Sequence, residues 1–225
     1  FMAYCINFNA FVYAFFILKL DLKNKNNTLK IDISRIYTTF RDDRAYSCLI
    51  IGLVLFMFGY TVMTSILPQF FASHYKNTDA SKLFALLLSI NGITVITCQF
   101  FVYFFSKRTS IKTAMITGAA LLPISLFVLG TVDDIIFKCI AMVVFTMGEM
   151  LVFTMMDIRI DELSDCSYKG TYYSLAGLQN LGALLAPIIG GLCLDRIQQD
   201  WLLFGLLSII TLFSILFFYK SNKLV

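Results

Sequence analysis

Histidine and tryptophan occur once each in the 225 residues, proline only three times, and charged residues make up 14% of the chain. Ordinary globular domains carry about 25% charged residues. The single His74 and six isolated cysteines (Cys5, Cys48, Cys98, Cys139, Cys166, Cys193), with no Cys-x-x-Cys pair, suggest neither a metal site nor a disulfide framework. No Gly-rich phosphate loop ending in Lys-Ser/Thr is present, and no Ser/His/Asp set lies in reach, so neither ATP-driven work nor an enzyme is expected. No cofactor motif is found either. A net charge of +4 is too small to imply an anionic partner such as nucleic acid.

What fills the sequence is apolar. Residues of the AVILMFWYC set make up 59% of it, with 23 Phe and 11 Tyr, and the mean hydropathy is +0.80. A bilayer core about 30 Å thick needs roughly 20 apolar residues in a helix. Charge-free runs of that size cover residues 1–18, 45–73, 83–106, 113–132, 170–194 and 201–219. A seventh, 135–156, is broken only by Lys138 and Glu149. Long continuous runs exclude the short alternating segments of a β-barrel. The expected class is an all-α membrane protein with seven transmembrane helices.

The connections alternate in charge. Of the 18 Lys and Arg, all but Lys76, Lys82, Lys138 and Arg196 fall on one side of the membrane. The positive-inside rule makes that side cytoplasmic, so the first span runs inward and the C-terminus, residues 220–225, is internal. The chain is thus expected to be a multi-pass protein of the plasma membrane or a bacterial inner membrane, with the lipid bilayer as its surroundings. It opens with Phe inside a hydrophobic run, without a basic leader or a cleavage site, which suggests a piece of a longer protein. Residues 19–44 form the one long connection. Its Asn/Lys-rich start reads as a linker. Leu29, Ile33, Ile36, Tyr37 and Phe40 then recur at helical spacing, as in a short amphipathic helix on the membrane surface or, alternatively, an unstructured tether. Residues 45–219 form a compact block of six helices.

The local sequence carries a resemblance. Gly148-Glu149-Met150, Asp161-Glu162-Leu163, Lys169-Gly170-Thr171-Tyr172-Tyr173 and the Gly-x4-Pro-x2-Gly-Gly helix of Gly182, Pro187, Gly190 and Gly191 resemble spans ten and eleven of major facilitator superfamily transporters of the drug:proton antiporter group. Tyr60 with Leu67-Pro68-Gln69-Phe70 is similar to the end of span seven in that group. The loop from Ser106 to Lys112 keeps basic residues but has neither the Asp nor the Gly of the family's loop there. The resemblance implies a fold in which residues 1–18 are the last span of the N-terminal half, followed by the six-helix C-terminal half. It also implies proton-coupled export of a small, amphipathic molecule by alternating access, with a missing N-terminal half as partner.

Glu149 is the sharpest signal among the residues themselves. An acid inside a span costs about 2.5–3.5 kcal/mol on insertion scales, so it should face a cavity or a partner. It lies roughly 12 Å from the cytoplasmic end, placed to couple protons or to hold a substrate, or else to fix helix packing. Tyr60, Asn91, Gln99, Gln179 and Asn180 are candidate lining residues; Asn91 and Gln99, eight apart, share nearly one face, whereas Gln179 and Asn180 cannot both point inward. Gly182, Ala186 and Gly190 form one small face for close helix approach, and Pro187 beside Gly190 and Gly191 is expected to kink the helix. Lys107 and Arg108 are candidate partners of Asp157, Asp161 or Glu162 in a cytoplasmic latch. His74 reads as a solvated loop residue. Two other readings stand beside the transporter: a seven-helix receptor, and a half-transporter inactive on its own.

Overall fold

Inside hydrocarbon every backbone N–H and C=O needs a partner within its own segment, so the apolar runs have little choice but to coil. The computed structural model describes residues 43–164 and 169–224 and contains, among them, only helices. They are α1 (Arg44–His74), α2 (Asn77–Arg108), α3 (Ile111–Thr131), α4 (Ile135–Leu163), α5 (Lys169–Ala176), a 3-10 turn (Gly177–Gln179), α6 (Asn180–Arg196) and α7 (Asp200–Lys223). Six segments, with α5 to α6 counted as one, are long and apolar enough to cross a membrane. The described residues all belong to the unit Ser34–Val225. The expected span at residues 1–18, the linker after it and the surface helix read from Leu29 to Phe40 lie outside the described residues.

Helix starts are set by short polar side chains. Asp43 caps α1 by accepting from the Tyr46 N–H at 2.9 Å, Ser110 caps α3 through Thr113 N–H, and Asp134 caps α4 through Ile136 N–H at 2.7 Å. Two boundaries differ from the sequence reading. The span expected to stop at residue 156 continues to Leu163, because no Gly or Pro stands between those positions and Arg159 ties its last turns to Glu162 and to α7. The run 170–194 is not one helix: it breaks at Gly177–Gln179, while Pro187 sits inside α6. Glycine weakens a helix by about 1 kcal/mol, and a 3-10 turn is the usual way a chain accommodates such a joint.

The main packing pairs are α3 with α4 and α7, α1 with α6 and α7, and α2 with α4. Lipid tails are as apolar as leucine, so small residues at the crossings decide how closely helices approach. A Cβ built on Gly148 would stand 2.8 Å from the Gly118 carbonyl oxygen, and one on Gly118 would stand 2.7 Å from that of Gly148. The α3 and α4 backbones therefore touch. Across α1 and α6, a Cβ on Gly182 would fall on the Val54 carbonyl and one on Gly190 would meet Ile66 at 2.5 Å; Ala186 between them is fully buried. Gly52 and Gly59 receive Phe218 and Thr211 of α7. By contrast, only 17% of the apolar window of α2, and of α5 to α6, is buried, against 56% for α1 and α3.

Gly148→Leu and Gly182→Leu are each expected to lower stability by about 1–3 kcal/mol, because the backbones must separate. Gly191→Ala, where no atom lies within 4 Å of a built Cβ, is expected to melt with the wild type. Thermal unfolding of the purified protein in detergent separates the two cases.

Candidate functional site

Because Gly148 faces α3, the next residue is turned about 100° away, and Glu149 faces α1 and α2 instead. There it meets only neutral donors. Asn91 of α2 gives its Nδ2 to Thr146 Oγ1 at 2.9 Å and to Glu149 Oε2 at 3.4 Å, and the Tyr60 hydroxyl of α1 hydrogen-bonds the same carboxylate. Thr146 Oγ1 in turn donates to the Met142 carbonyl at 2.8 Å, which leaves its lone pair for Asn91. Among the described residues no Lys or Arg forms an ion pair with Glu149.

Aromatic rings close the walls. Tyr60 stacks on Phe145 at 6.3 Å and meets Phe153 edge-on at 5.6 Å, and Phe153 lies 5.7 Å from Phe56. One acid, two polar partners and four rings from three helices thus form one connected cluster along about two turns of α4. Such a site can hold a proton, a cation or both in turn, since rings and carboxylate attract positive charge alike.

Of the sequence candidates, the structure brings together Tyr60, Asn91 and Glu149. Gln99 is exposed on α2, and Asn180 is exposed at the start of α6. Gln179 is half-buried, and its Oε1 has no hydrogen-bond partner. Gly182, Ala186 and Gly190 lie against α1, Gly191 does not, and Pro187 is exposed. Sequence reasoning missed Thr146, which i, i+3 spacing from Glu149 would have marked; among the many Phe, read as mostly facing lipid with a few able to form an aromatic pocket, it does not single out Phe145 and Phe153.

The two ends of the unit hold their own polar contacts. At the end that includes Arg44 and Lys223, Asp161 pairs with Lys169, and Glu162 pairs with Arg159 at 2.9 Å. Asp157 is exposed and accepts from the Tyr173 hydroxyl through its carbonyl. Arg159 is buried and also reaches the Ser221 carbonyl at 3.3 Å. Lys107 lies over the Tyr103 ring, and among the described residues no ion pair joins it or Arg108 to the three acids. A clasp also holds α5 to α1: the Tyr46 hydroxyl donates to the Tyr172 carbonyl, and the Tyr172 hydroxyl donates to Asp43 Oδ2 at 3.0 Å.

At the opposite end His74, read from sequence as solvated, stands 3.3 Å from Asp200. Burial, with help from Asp133, pushes the Tyr75 phenol above its ordinary range and keeps it neutral. Lys138 is fully buried; its Nζ donates to the Leu129 carbonyl at 3.1 Å and lies over the Phe71 ring. It thereby satisfies a carbonyl left open at the end of α3.

The six membrane-length helices among the described residues mark an integral, multi-pass membrane protein. The chain belongs to the Major Facilitator Superfamily, whose family model matches residues 3–180, and the resemblance read from the sequence is borne out at that level. It is 28% identical to the uncharacterized MFS-type transporter YqjV of Bacillus subtilis over 86% of this chain and 48% of that protein. It is 26% identical to the uncharacterized MFS-type transporter YdeE of Escherichia coli over 54% of this chain and 31% of that one. The chain spans about half the length or less of these relatives. Its fold is similar to that of a peptide transporter POT crystallised with sulfate (TM-score 0.68, 19% identity, 80% of this chain and 38% of that one). A variant of that transporter gives a TM-score of 0.67 at 18% identity over the same shares.

Tyr172→Phe removes the hydroxyl that reaches Asp43, and Tyr46→Phe removes the bond to the Tyr172 carbonyl. Each is expected to lower stability by about 1 kcal/mol. Melting temperatures equal to wild type for both would mean that the clasp contributes nothing.

Proposed function

We propose that this chain supplies the C-terminal half, with the last span of the N-terminal half, of a proton-linked secondary transporter. It moves a small amphipathic cation outward by alternating access. The observation that carries this reading is Glu149: a carboxylate midway along a membrane-length helix, answered among the described residues by Tyr60 and Asn91 and flanked by Phe56, Phe145 and Phe153. An acid with no fixed counter-charge is costly while ionised, so it is best satisfied by a mobile positive charge. A proton and an amphipathic cation then compete for one carboxylate, and that competition is the minimal chemistry of antiport. The aromatic walls favour a cation with an apolar body.

Several sequence features support the remaining parts of the reading. The Gly148–Asp195 region resembles the drug:proton antiporter group, which suggests export. The basic bias of one end supports a cytoplasmic C-terminus. A second six-helix half would supply the facing wall of the cavity, in keeping with relatives about twice as long. In the same reading the pairs Asp161 to Lys169 and Glu162 to Arg159 belong to the cytoplasmic end, and Lys107 and Arg108 remain to meet acids as that end closes.

The test uses the full-length protein in liposomes, an imposed pH gradient and tetraphenylphosphonium as the probe. Glu149→Gln is expected to cut gradient-driven movement at least about tenfold, because the neutral amide can neither release a proton nor attract the cation. Movement by Glu149→Gln at the wild-type rate under the same gradient would exclude this role.

A further inference from the structure

Helix α2 is held differently from its neighbours. Its buried residues, Ala80, Leu87, Thr94 and Val102, fall at intervals of seven or eight and so form one narrow stripe. Ile93, Ile96, Phe100, Phe101 and Phe104 on its other faces are exposed, and Gly92 has open space around it. In the middle of the stripe stands Asn91. Its Nδ2 is shared between Thr146 and Glu149 of α4, so its side chain ties α2 to that helix at the level of the acid.

We infer that Asn91 is the positioning residue that converts the charge state of Glu149 into a movement of α2 against α4. This rests on the proton-coupled reading above. The two N–H groups of the amide serve two acceptors while Glu149 is ionised, and the bond to the charged oxygen is the stronger kind. Once Glu149 takes a proton it becomes a weaker acceptor and a donor; the new O–H goes to the Tyr60 hydroxyl, or to the amide if Oδ1 turns toward it, and either way the bond from Nδ2 to Glu149 is weakened. The tie from α2 to Glu149 is then loosened, and once the amide has turned, Thr146 holds it only by giving Oδ1 the proton it otherwise gives to the Met142 carbonyl. Among the described residues no other ionisable side chain competes for this role at the same level. Helix α1 contributes Tyr60, the nearest ionisable residue of α2 is Cys98 two turns away, α3 carries only Lys112 at its start, and Cys139 and Asp157 are ten and eight residues from Glu149 on α4.

The test reads the position of α2 in the full-length protein in liposomes. Spin labels are placed at Lys82→Cys on α2 and Asp195→Cys on α6, both exposed, with the native cysteines replaced by serine. In wild type the distance between labels is expected to shift by about 2 Å or more between acidic and alkaline buffer, and Glu149→Gln is expected to show no such shift. Asn91→Leu, of similar volume but without the amide, is expected to reduce the shift at least about threefold. The infrared carboxyl band of Glu149, assigned by its absence in Glu149→Gln, should still titrate in that variant. Asn91→Ala repeats the measurement with a smaller side chain, so that misfolding of one variant does not decide the outcome. A full shift in either folded Asn91 variant overturns the inference and leaves the proton reading intact. A wild-type distance that ignores pH, with a Glu149 band that does not titrate, overturns the proton reading and the inference with it.

Discussion

The contact between the α3 and α4 backbones at Gly118 and Gly148 sets the rotation of α4, and much else follows from that rotation. In a membrane no hydrophobic force drives helices together, so the depth of a crossing depends on how small the residues in it are. With Gly148 pressed on α3, Leu151 and Val152 complete the same seam. Phe145, Thr146 and Glu149 are left to face α1 and α2. A side chain at Gly148 would push α3 away and would turn the carboxylate from its partners. The packing residue and the polar residue are neighbours in sequence because they act on adjacent faces of one helix.

The same rule governs the rest of the bundle. Gly182, Ala186 and Gly190 let α6 lie on the α1 backbone, while Gly52 and Gly59 admit Phe218 and Thr211 from α7. Helix α1 is thus fixed on two sides by packing that has no slack. Helices α2 and α5 are held mainly by contacts that a change of charge or of hydrogen bonding can alter. Asn91 secures the first, and Tyr46, Tyr172, Asp43 and the pair Asp161 to Lys169 secure the second. A rigid centre with two lightly tethered neighbours is the mechanical counterpart of the charge exchange proposed for Glu149.

Much of this was legible in the sequence. Apolar runs of bilayer length marked all six described spans, because continuous runs of that size coil in lipid whereas a barrel needs short alternating segments; the end of α4 and the break before α6 were not marked. The four-residue spacing of Gly182, Ala186 and Gly190 marked a contact face, and an acid within a run marked the site. What stayed hidden depended on distances between helices. Asn91 and Gln99 share nearly one face of α2, but only Asn91 lies at the level of Glu149, and that level is set by how α2 crosses α4. Arg159 reads as a surface charge until the Ser221 carbonyl of α7 is placed beside it. Lys138 reads as an external charge until the open end of α3 and the Phe71 ring enclose it. The break at Gly177–Gln179 was overshadowed by Pro187, a stronger local signal that α6 accommodates on its exposed side.

The central claim is that Glu149 exchanges its proton against a cation at one place. The most direct measurement is modification of Glu149 by dicyclohexylcarbodiimide, which attacks the protonated carboxyl, followed by mass spectrometry of the peptide that carries it. The account predicts modification that falls as pH rises and that tetraphenylphosphonium suppresses in proportion to its concentration. Modification indifferent to both pH and the cation would contradict it.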